Sequence, residues 1–311
     1  MFDLRNPPRP KVICLGLSAF DVTWTVESLA LRAGKTRAHD FREGGGGMAA
    51  NAAVAAARLG AQARFWGRAG QDSAGRAMRE DLAAQGVDVS GFRLFENARS
   101  SVSGIVVDRK GERSIVNFRG AGLPEDPGWL PADAIAEADA VLADPRWPEG
   151  ASHLFRMARA HGVPTVLDGD VADPEVFDEL LPFVDHAVFS EPGLEGYAAQ
   201  VGSIEARLDF ARSRGCALAA VTLGEHGVAW LDAGGLHRMP AFAVDAVDTT
   251  GAGDVFHGAL AFALGAGVPV PAALQFSSAV AAIKCMRAGG RDGAPDLATA
   301  VASLQRFKES S

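Results

Sequence analysis

An α/β architecture, with a mostly parallel sheet covered by helices on both faces, is what this sequence predicts. Three observations point to it. Short β-branched or apolar runs recur along the chain, Ala-rich stretches of helical character separate them, and those stretches end near glycine, as helices tend to. Strand–helix alternation over this length calls for parallel strands, because each crossover helix must pack back onto the sheet. Ligands of such sheets bind beyond the C-terminal strand ends.

The strand candidates are KVICLGL (Lys11–Leu17), AVLAD (Ala140–Asp144), PTVLDGD (Pro164–Asp170), HAVFS (His186–Ser190) and LAAVTLG (Leu218–Gly224). The helices between them are NAAVAAARLG, SAGRAMREDLAAQG, HLFRMARAHG and IEARLDFARSRG. Two polar stretches, 22–41 and 92–118, break the pattern, and SSVSGIVVDRKGERSIVNF carries a hairpin signal around Arg109–Gly111. We expect these two stretches to form a small β lid on a single domain spanning 1–311. There is no internal repeat and no low-complexity linker.

Composition excludes several classes of function. The net charge of -8 arises from 30 basic and 38 acidic residues with no basic run, which argues against a nucleic-acid or anionic-membrane surface. Cys14, Cys216 and Cys285 lie far apart in apolar segments without metal-ligand spacing, so buried free thiols are expected. With no leader-like apolar run at the N-terminus and no apolar stretch of membrane-spanning length, the expected location is cytoplasmic.

Some motifs fail on inspection. RAGKT (Arg32–Thr36) ends like a P-loop, but the required first glycine would fall at Leu29. A dinucleotide fingerprint starting at Gly251 would need its third glycine at Phe256. No G-x-S-x-G elbow is present. His257, one residue on an Ala/Phe-rich helix, reads as structural, and Asp72 in DSAG reads as a helix N-cap.

DTTGAGDVFHGAL (Asp248–Leu260) is the informative stretch. A tight Gly251-Ala252-Gly253 turn opens a clear helix whose first N–H groups lack partners and whose dipole places positive charge there. Small side chains let an anion reach those donors, so the turn can cradle a phosphate. Asp254 starts the same helix. Stabilised by the dipole, it should be ionised at neutral pH and able to accept the proton of a hydroxyl attacking a phosphoryl group. A glycine turn followed by an Asp N-cap is the plainer alternative for this stretch alone.

DTTGAGDVFHGAL resembles the C-terminal signature of the ribokinase-like (PfkB) carbohydrate kinases. GGGGMAANAAVAAARLGA with GRAGQDSAG resembles their N-terminal signature, and VTLGEHGVAW their nucleotide-binding strand and turn. The resemblance runs in order from about Lys11 to beyond Pro295. It implies a ribokinase-like fold and an ATP- and Mg²⁺-dependent sugar phosphotransferase. Asp254 matches the family's base, and Gly251, Ala252 and Gly253 its anion hole. Thr222, Gly224 and Gly227 match the nucleotide loop. Asp21, Gly46, Gly47 and Asn51 match sugar contacts. Asp248 and Thr250 match positions where many relatives hold a monovalent cation such as K⁺. The family's N-x-x-E motif is altered to SEPG, with Ser190 and Gly193 at its ends, so Glu191 is the candidate that compensates toward Mg²⁺. Lids of relatives often pair across a homodimer, and Ile105, Val106 and Val107 are the expected contact.

VLADPRW puts Arg146 at about the strand end where ribose-type relatives offer an acidic residue to the sugar. A guanidinium there suits an anionic substrate, or else forms a structural bridge to Asp144 or Asp170. GERSIVNF, VLADPRWPEGA, VLDGDV, DHAVFSEPGL and AAIKCMRAGGRDGAPD together resemble the bacterial sulfofructose kinases, which phosphorylate 6-deoxy-6-sulfofructose at O1. That narrower resemblance implies a sulfonate pocket of Lys35, Asn117, the backbone near Gly120, and Arg146. Competing expectations are the same chemistry on a neutral ketose, a pentose or a sugar phosphate, and a catalytically silent sugar or nucleotide sensor.

Overall fold

The computed structural model describes residues 8–29, 34–109 and 112–309. Along the chain lie β1 (Lys11–Gly16), β2 (Ala19–Thr25), β3 (Asp40–Gly46), α1 (Met48–Arg58), β4 (Gln62–Gly70), α2 (Ser73–Ala84), β5 (Phe92–Phe95), β6 (Val102–Val107) and β7 (Arg113–Phe118). They are followed by β8 (Ala140–Ala143), α3 (Pro148–Ala160), β9 (Thr165–Gly169), α4 (Pro174–Leu180), β10 (His186–Ser190), α5 (Glu191–Tyr197), α6 (Ile204–Arg212), β11 (Leu218–Thr222), β12 (Val228–Asp232) and β13 (Gly235–Met239). Three helices close the chain: α7 (Ala252–Gly265), α8 (Val270–Cys285) and α9 (Leu297–Glu309). All five expected strands and four expected crossover helices are present, each within a few residues of its predicted bounds.

The larger sheet has the order β13-β12-β11-β10-β9-β8-β1-β4-β5 and is parallel except for β12 and β13. Its strands are buried on both faces, so alternate residues feed two cores. In β1, Val12 and Cys14 join one core with α1, α2, α7 and α8, while Ile13 and Leu15 join the other with α3 to α6. Helix α7 is apolar all round and its residues Val255–Ala263 are buried, as such a helix must be. It crosses α1 so closely that a Cβ at Gly258 would lie 2.3 Å from the Ala52 carbonyl oxygen. Glycine is therefore required there, and the alanines of α1 permit the approach.

The smaller sheet, β3-β2-β6-β7, differs in composition from the expected lid. It takes in Ala19–Phe20 and extends through Gly46, whereas Phe92–Phe95 pairs with β4 in the larger sheet. A polar stretch with a strand at its start had masked that edge strand. Antiparallel pairing of β6 with β7 agrees with the hairpin expected there, although Lys110 and Gly111 of its turn, like Arg32 and Ala33 of RAGKT, lie outside the described residues. Side chains alternate between the faces of this sheet. Asp21, Ser103, Ile105, Ile115 and Asn117 share one face, and Val22, Trp24, Phe41, Val106, Val116 and Phe118 the other. Ile105 and Val107 therefore point away from Val106, and Ile105 is buried. The apolar surface of the second face is Trp24, Phe41, Val116 and Phe118 instead. Cys14 and Cys216 are buried free thiols as expected, and Cys285 is half-buried.

Candidate active site

The parallel strands end on one side of the larger sheet, and the chemistry-bearing residues gather there. Asp144, just past β8, is fully buried and fixes the entry. Its Oδ2 accepts from the Leu17 and Ala49 amides at 2.7 and 3.0 Å, and its Oδ1 from the Arg146 amide at 2.9 Å. One carboxylate thus joins the end of β1, the start of α1 and the segment after β8. Gly47, the N-cap of α1 at φ +97°, must be glycine, because a Cβ would sit 2.5 Å from the Leu17 carbonyl oxygen.

Asn51 and Asp254 meet across 203 residues of sequence. The Asn51 amide donates to Asp254 Oδ2 at 2.6 Å. Gly251, the N-cap of α7, is left-handed at φ +74°, and it faces Asn51 Nδ2, Asp254 Oδ2 and the Arg291 amide. The Ala252 amide donates to Thr249 O at 3.2 Å, so it already has a partner. The amides of Gly253 and Asp254 have no acceptor among the described residues, and a Cβ at Gly253 would meet nothing within 4 Å. This end of α7 is therefore open to an anion.

Asp254 is not the fully ionised carboxylate its helix position led us to expect. Burial and the nearby Asp168 push it up to about 7, against the opposing Asn51 hydrogen bond and the His257 contact. Desolvation outweighs the helix dipole here. A base poised near neutral pH suits proton acceptance. Asp168 itself is buried, with its carboxyl driven well above the usual range by burial and by Asp170 and Asp144. His257 has the structural place expected of it. Its ring nitrogens lie 2.7 Å from Gly253 O and 3.0 Å from Val188 O, tying the first turn of α7 to β10, with Asp168 Oδ2 at 3.5 Å.

The small sheet brings its sugar-side candidates to the same end. Asp21 is half-buried on β2 beside Gly44 and Ser103, and burial raises its carboxyl above the usual value. Gly46 faces it so closely that a Cβ would lie 2.0 Å from Asp21 Oδ2. Asn117 on β7 donates to Ser103 Oγ at 3.1 Å, and Gly120 follows at φ +90°. Arg113, also on β7, donates to Thr250 Oγ1 at 3.1 Å, linking this sheet to the segment before the glycine turn. The sequence singled out neither Arg113 nor Arg291. The Arg291 guanidinium is buried, pairs with Asp81 and reaches Asn51 Oδ1 at 3.5 Å. Only its place in a Gly-rich loop after α8 could have drawn notice.

At the nucleotide candidates, Thr222 ends β11, and Gly224 (φ +56°) and Gly227 (φ +90°) shape the turn into β12. A Cβ at Gly227 would sit 2.0 Å from Met239 O, so glycine is needed for the chain to pass. The SEPG departure has a physical cause. Ser190 caps α5, accepting from the Gly193 amide and donating to Asp170, and a Cβ at Gly193 would lie 2.2 Å from Gly169 O. No side chain fits there, and Glu191, two residues earlier, is exposed. Asp72 caps α2 as expected, accepting from Gly75 and Ser100.

No hydrogen bond joins the sulfonate candidates Lys35, Asn117, Gly120 and Arg146 to one another among the described residues. Arg146 donates to Val171 O at 2.6 Å and to Asp170 Oδ2 at 3.0 Å, the structural bridge that the sequence left open. Lys35 is exposed with no hydrogen-bond partner among the described residues. A monovalent cation at Asp248 and Thr250 does not fit either. The Lys284 ammonium donates to Asp248 O at 2.6 Å and lies 3.5 Å from Asp248 Oδ2, so fixed positive charge already stands on those oxygens.

A doubly wound sheet with an open helix N-terminus, a buried carboxylate beside it and a second sheet bearing further polar groups suits transfer of a phosphoryl group to a small polar molecule. Residues 9–297 match the pfkB family carbohydrate kinase model, and the chain belongs to that family of ATP-dependent carbohydrate kinases. It is 32% identical to the ribokinase of Bacillus subtilis over 80% of this chain and 84% of that one. It is also 32% identical to the ATP-dependent ribose-1-phosphate kinase of Halopiger xanaduensis, over 96% of this chain and 99% of that one. A crystal structure of an Agrobacterium tumefaciens protein superposes at TM-score 0.91 with 37% identity, covering 96% of this chain and 99% of that one. The ribokinase-like α/β fold expected from the motifs is the fold observed. No helix among the described residues is long and apolar enough to cross a membrane.

Proposed function

We propose that this chain transfers the γ-phosphoryl group of ATP to a hydroxyl of a pentose or ketose, with ribose first among the candidates. The observation that carries this is the Asn51–Asp254 pair beside the unfilled amides of Gly253 and Asp254. Asp254 accepts the hydroxyl proton as the sugar oxygen bonds to phosphorus and the bond to the ADP oxygen breaks. The two amides receive the charge on the transferring group. Asn51 holds the carboxylate in line, while Asp21 takes sugar hydroxyls, with Gly46 and Gly47 leaving room for them. Thr222, Gly224 and Gly227 carry the nucleotide.

Among the described residues no group of three or more acidic, His or Cys side chains is arranged to hold a metal. Mg²⁺ would be carried by the nucleotide phosphates, with Asp170, which accepts from Ser190, and Glu191 as the candidate carboxylates beside it. Bound there, Mg²⁺ neutralises phosphate charge. The smaller sheet acts as a lid, and its apolar outer face of Trp24, Phe41, Val116 and Phe118 is the surface through which two copies would pair.

Two observations favour a neutral sugar. Arg146 is already paired with Asp170, and the Bacillus subtilis relative is named a ribokinase, although the Halopiger xanaduensis relative is named for a charged sugar, ribose 1-phosphate. A second reading, an anionic sugar such as 6-deoxy-6-sulfofructose, keeps support from the motifs around Arg146 and from Lys35, which would need to swing toward Asn117 and Gly120.

ADP release with ribose, fructose, ribose 1-phosphate, fructose 6-phosphate, tagatose 6-phosphate and sulfofructose, compared side by side, tests the proposal. Turnover on ribose or fructose above the charged sugars is expected. If sulfofructose leads, the second reading replaces the first, and Arg146→Ala should then cost about 2–5 kcal/mol in kcat/KM on that substrate alone. ATP binding without turnover on any sugar would favour a sensor.

A further inference from the structure

Lys284 is fully buried in the last turn of α8, an unusual position for a lysine, and it has no part in the chemistry above. Its ammonium grips one residue. It donates to the Asp248 carbonyl at 2.6 Å and lies 3.5 Å from the Asp248 carboxylate. Asp248 is a junction. Its Oδ1 accepts from the Thr250 amide at 2.9 Å, and its Oδ2 from the Gly289 and Gly290 amides at 3.0 and 3.1 Å. The Val247 and Asp248 amides donate to Cys285 O. Three pieces of chain therefore meet at this carboxylate: the end of α8, the Gly289–Gly290 turn that leads to Arg291, and the segment that becomes the Gly251 turn two residues past Thr249.

Without positive charge, a carbonyl and a carboxylate of one residue would face each other across a desolvated gap, at high cost. A small cation from solvent is the ordinary remedy. Here the chain carries its own, and a second cation a few ångströms from the ammonium would meet strong like-charge repulsion in low dielectric. The groups facing Lys284 are Asp248, the Cys285 thiol and, from the smaller sheet, Arg113, which itself reaches Thr250. Arg113 adds to the repulsion of any further cation.

We propose that Lys284 is a tethered replacement for a monovalent cation, holding Asp248 and through it the anion-binding turn of α7, so that the enzyme needs no potassium. It is a positioning residue. The idea rests on the kinase reading only for its turnover readout.

The test uses the full chain at matched ionic strength in potassium, sodium and tetramethylammonium chloride. Thermal melting and ADP release with ATP and ribose are followed for the wild type and Lys284→Met. The wild type is expected to melt and turn over equally in all three salts. Lys284→Met is expected to melt lower in tetramethylammonium and to lose on the order of tenfold or more in kcat, the scale of leaving a buried partner unmatched, with both restored by potassium or ammonium. A merely structural lysine would give a loss that no cation restores, and that overturns the proposal. So does a wild type whose melting or turnover rises with potassium. Should Lys284→Met fail to fold, Lys284→Gln is read for the same rescue, and the wild-type salt comparison stands alone. Absence of turnover in every arm counts against the kinase reading, while the melting arms still decide the role of Lys284.

Discussion

The first turn of α7 and the four-stranded sheet that faces it are built on opposite principles. Around α7, the key side chains have fixed partners supplied from far away in sequence, Asn51 on Asp254, Lys284 on Asp248 and Val188 O on His257, while the Gly253 and Asp254 amides stay open. On the small sheet, every residue of β7 is exposed, and Val116 is 76% exposed. The groups proposed for catalysis are fixed by the core, and those proposed to select the sugar lie on a more exposed surface. On that proposal, reaction type should resist substitution of the sheet, while substrate choice should not.

The largest expected effect is at the rigid end. Asp254→Asn should lower kcat by about 10²–10⁴ with ATP and sugar binding retained, measured by steady-state kinetics and calorimetry. Near wild-type turnover would remove Asp254 as base. Gly253→Val should follow, with a loss of turnover well beyond any change in melting temperature, because a Cβ meets nothing in the protein yet stands where phosphate must approach. Equal loss of folding and activity would erase the contrast between the two regions.

On the sheet side, Gly46→Ala should displace the Asp21 carboxylate and weaken kcat/KM for the sugar by about tenfold or more while leaving the KM for ATP close to unchanged. Parallel losses for both substrates would show that the two regions are not separable.

A pH series sharpens the comparison. Because Asp254 is raised from 3.8 to about 7, kcat/KM should climb as pH rises through about 7. The sign for stability is opposite. The folded state holds a proton that the unfolded chain has lost, so this residue's contribution falls as pH rises from 3.8 to about 7. Asp254→Asn should accordingly melt above the wild type at pH 8, an advantage that vanishes in acid. The smallest effect is expected at the outer face, where Val116→Asp should shift sedimentation toward monomer with turnover little changed.

Strand–helix alternation, the glycine turn that opens α7, the Asp72 cap and a structural role for His257 were all legible in the residues. Each of these is written in neighbouring residues, through periodicity, capping chemistry or an all-apolar helix. The mixed membership of the two sheets was less legible, because Phe92–Phe95 reads as part of a polar stretch and reveals its edge pairing with β4 only in three dimensions. Charge state and partnership were decided by the tertiary structure alone. Asp254 is pushed toward its protonated form by burial and by Asp168, Arg146 is paired with Asp170, Gly193 has no room for a side chain against Gly169, and Lys284 and Arg291 lie in a stretch noted only for its resemblance, with no role assigned to either. The physical reason is distance. Electrostatic and desolvation energies depend on which groups lie within a few ångströms, and here those groups are tens to hundreds of residues apart in the chain.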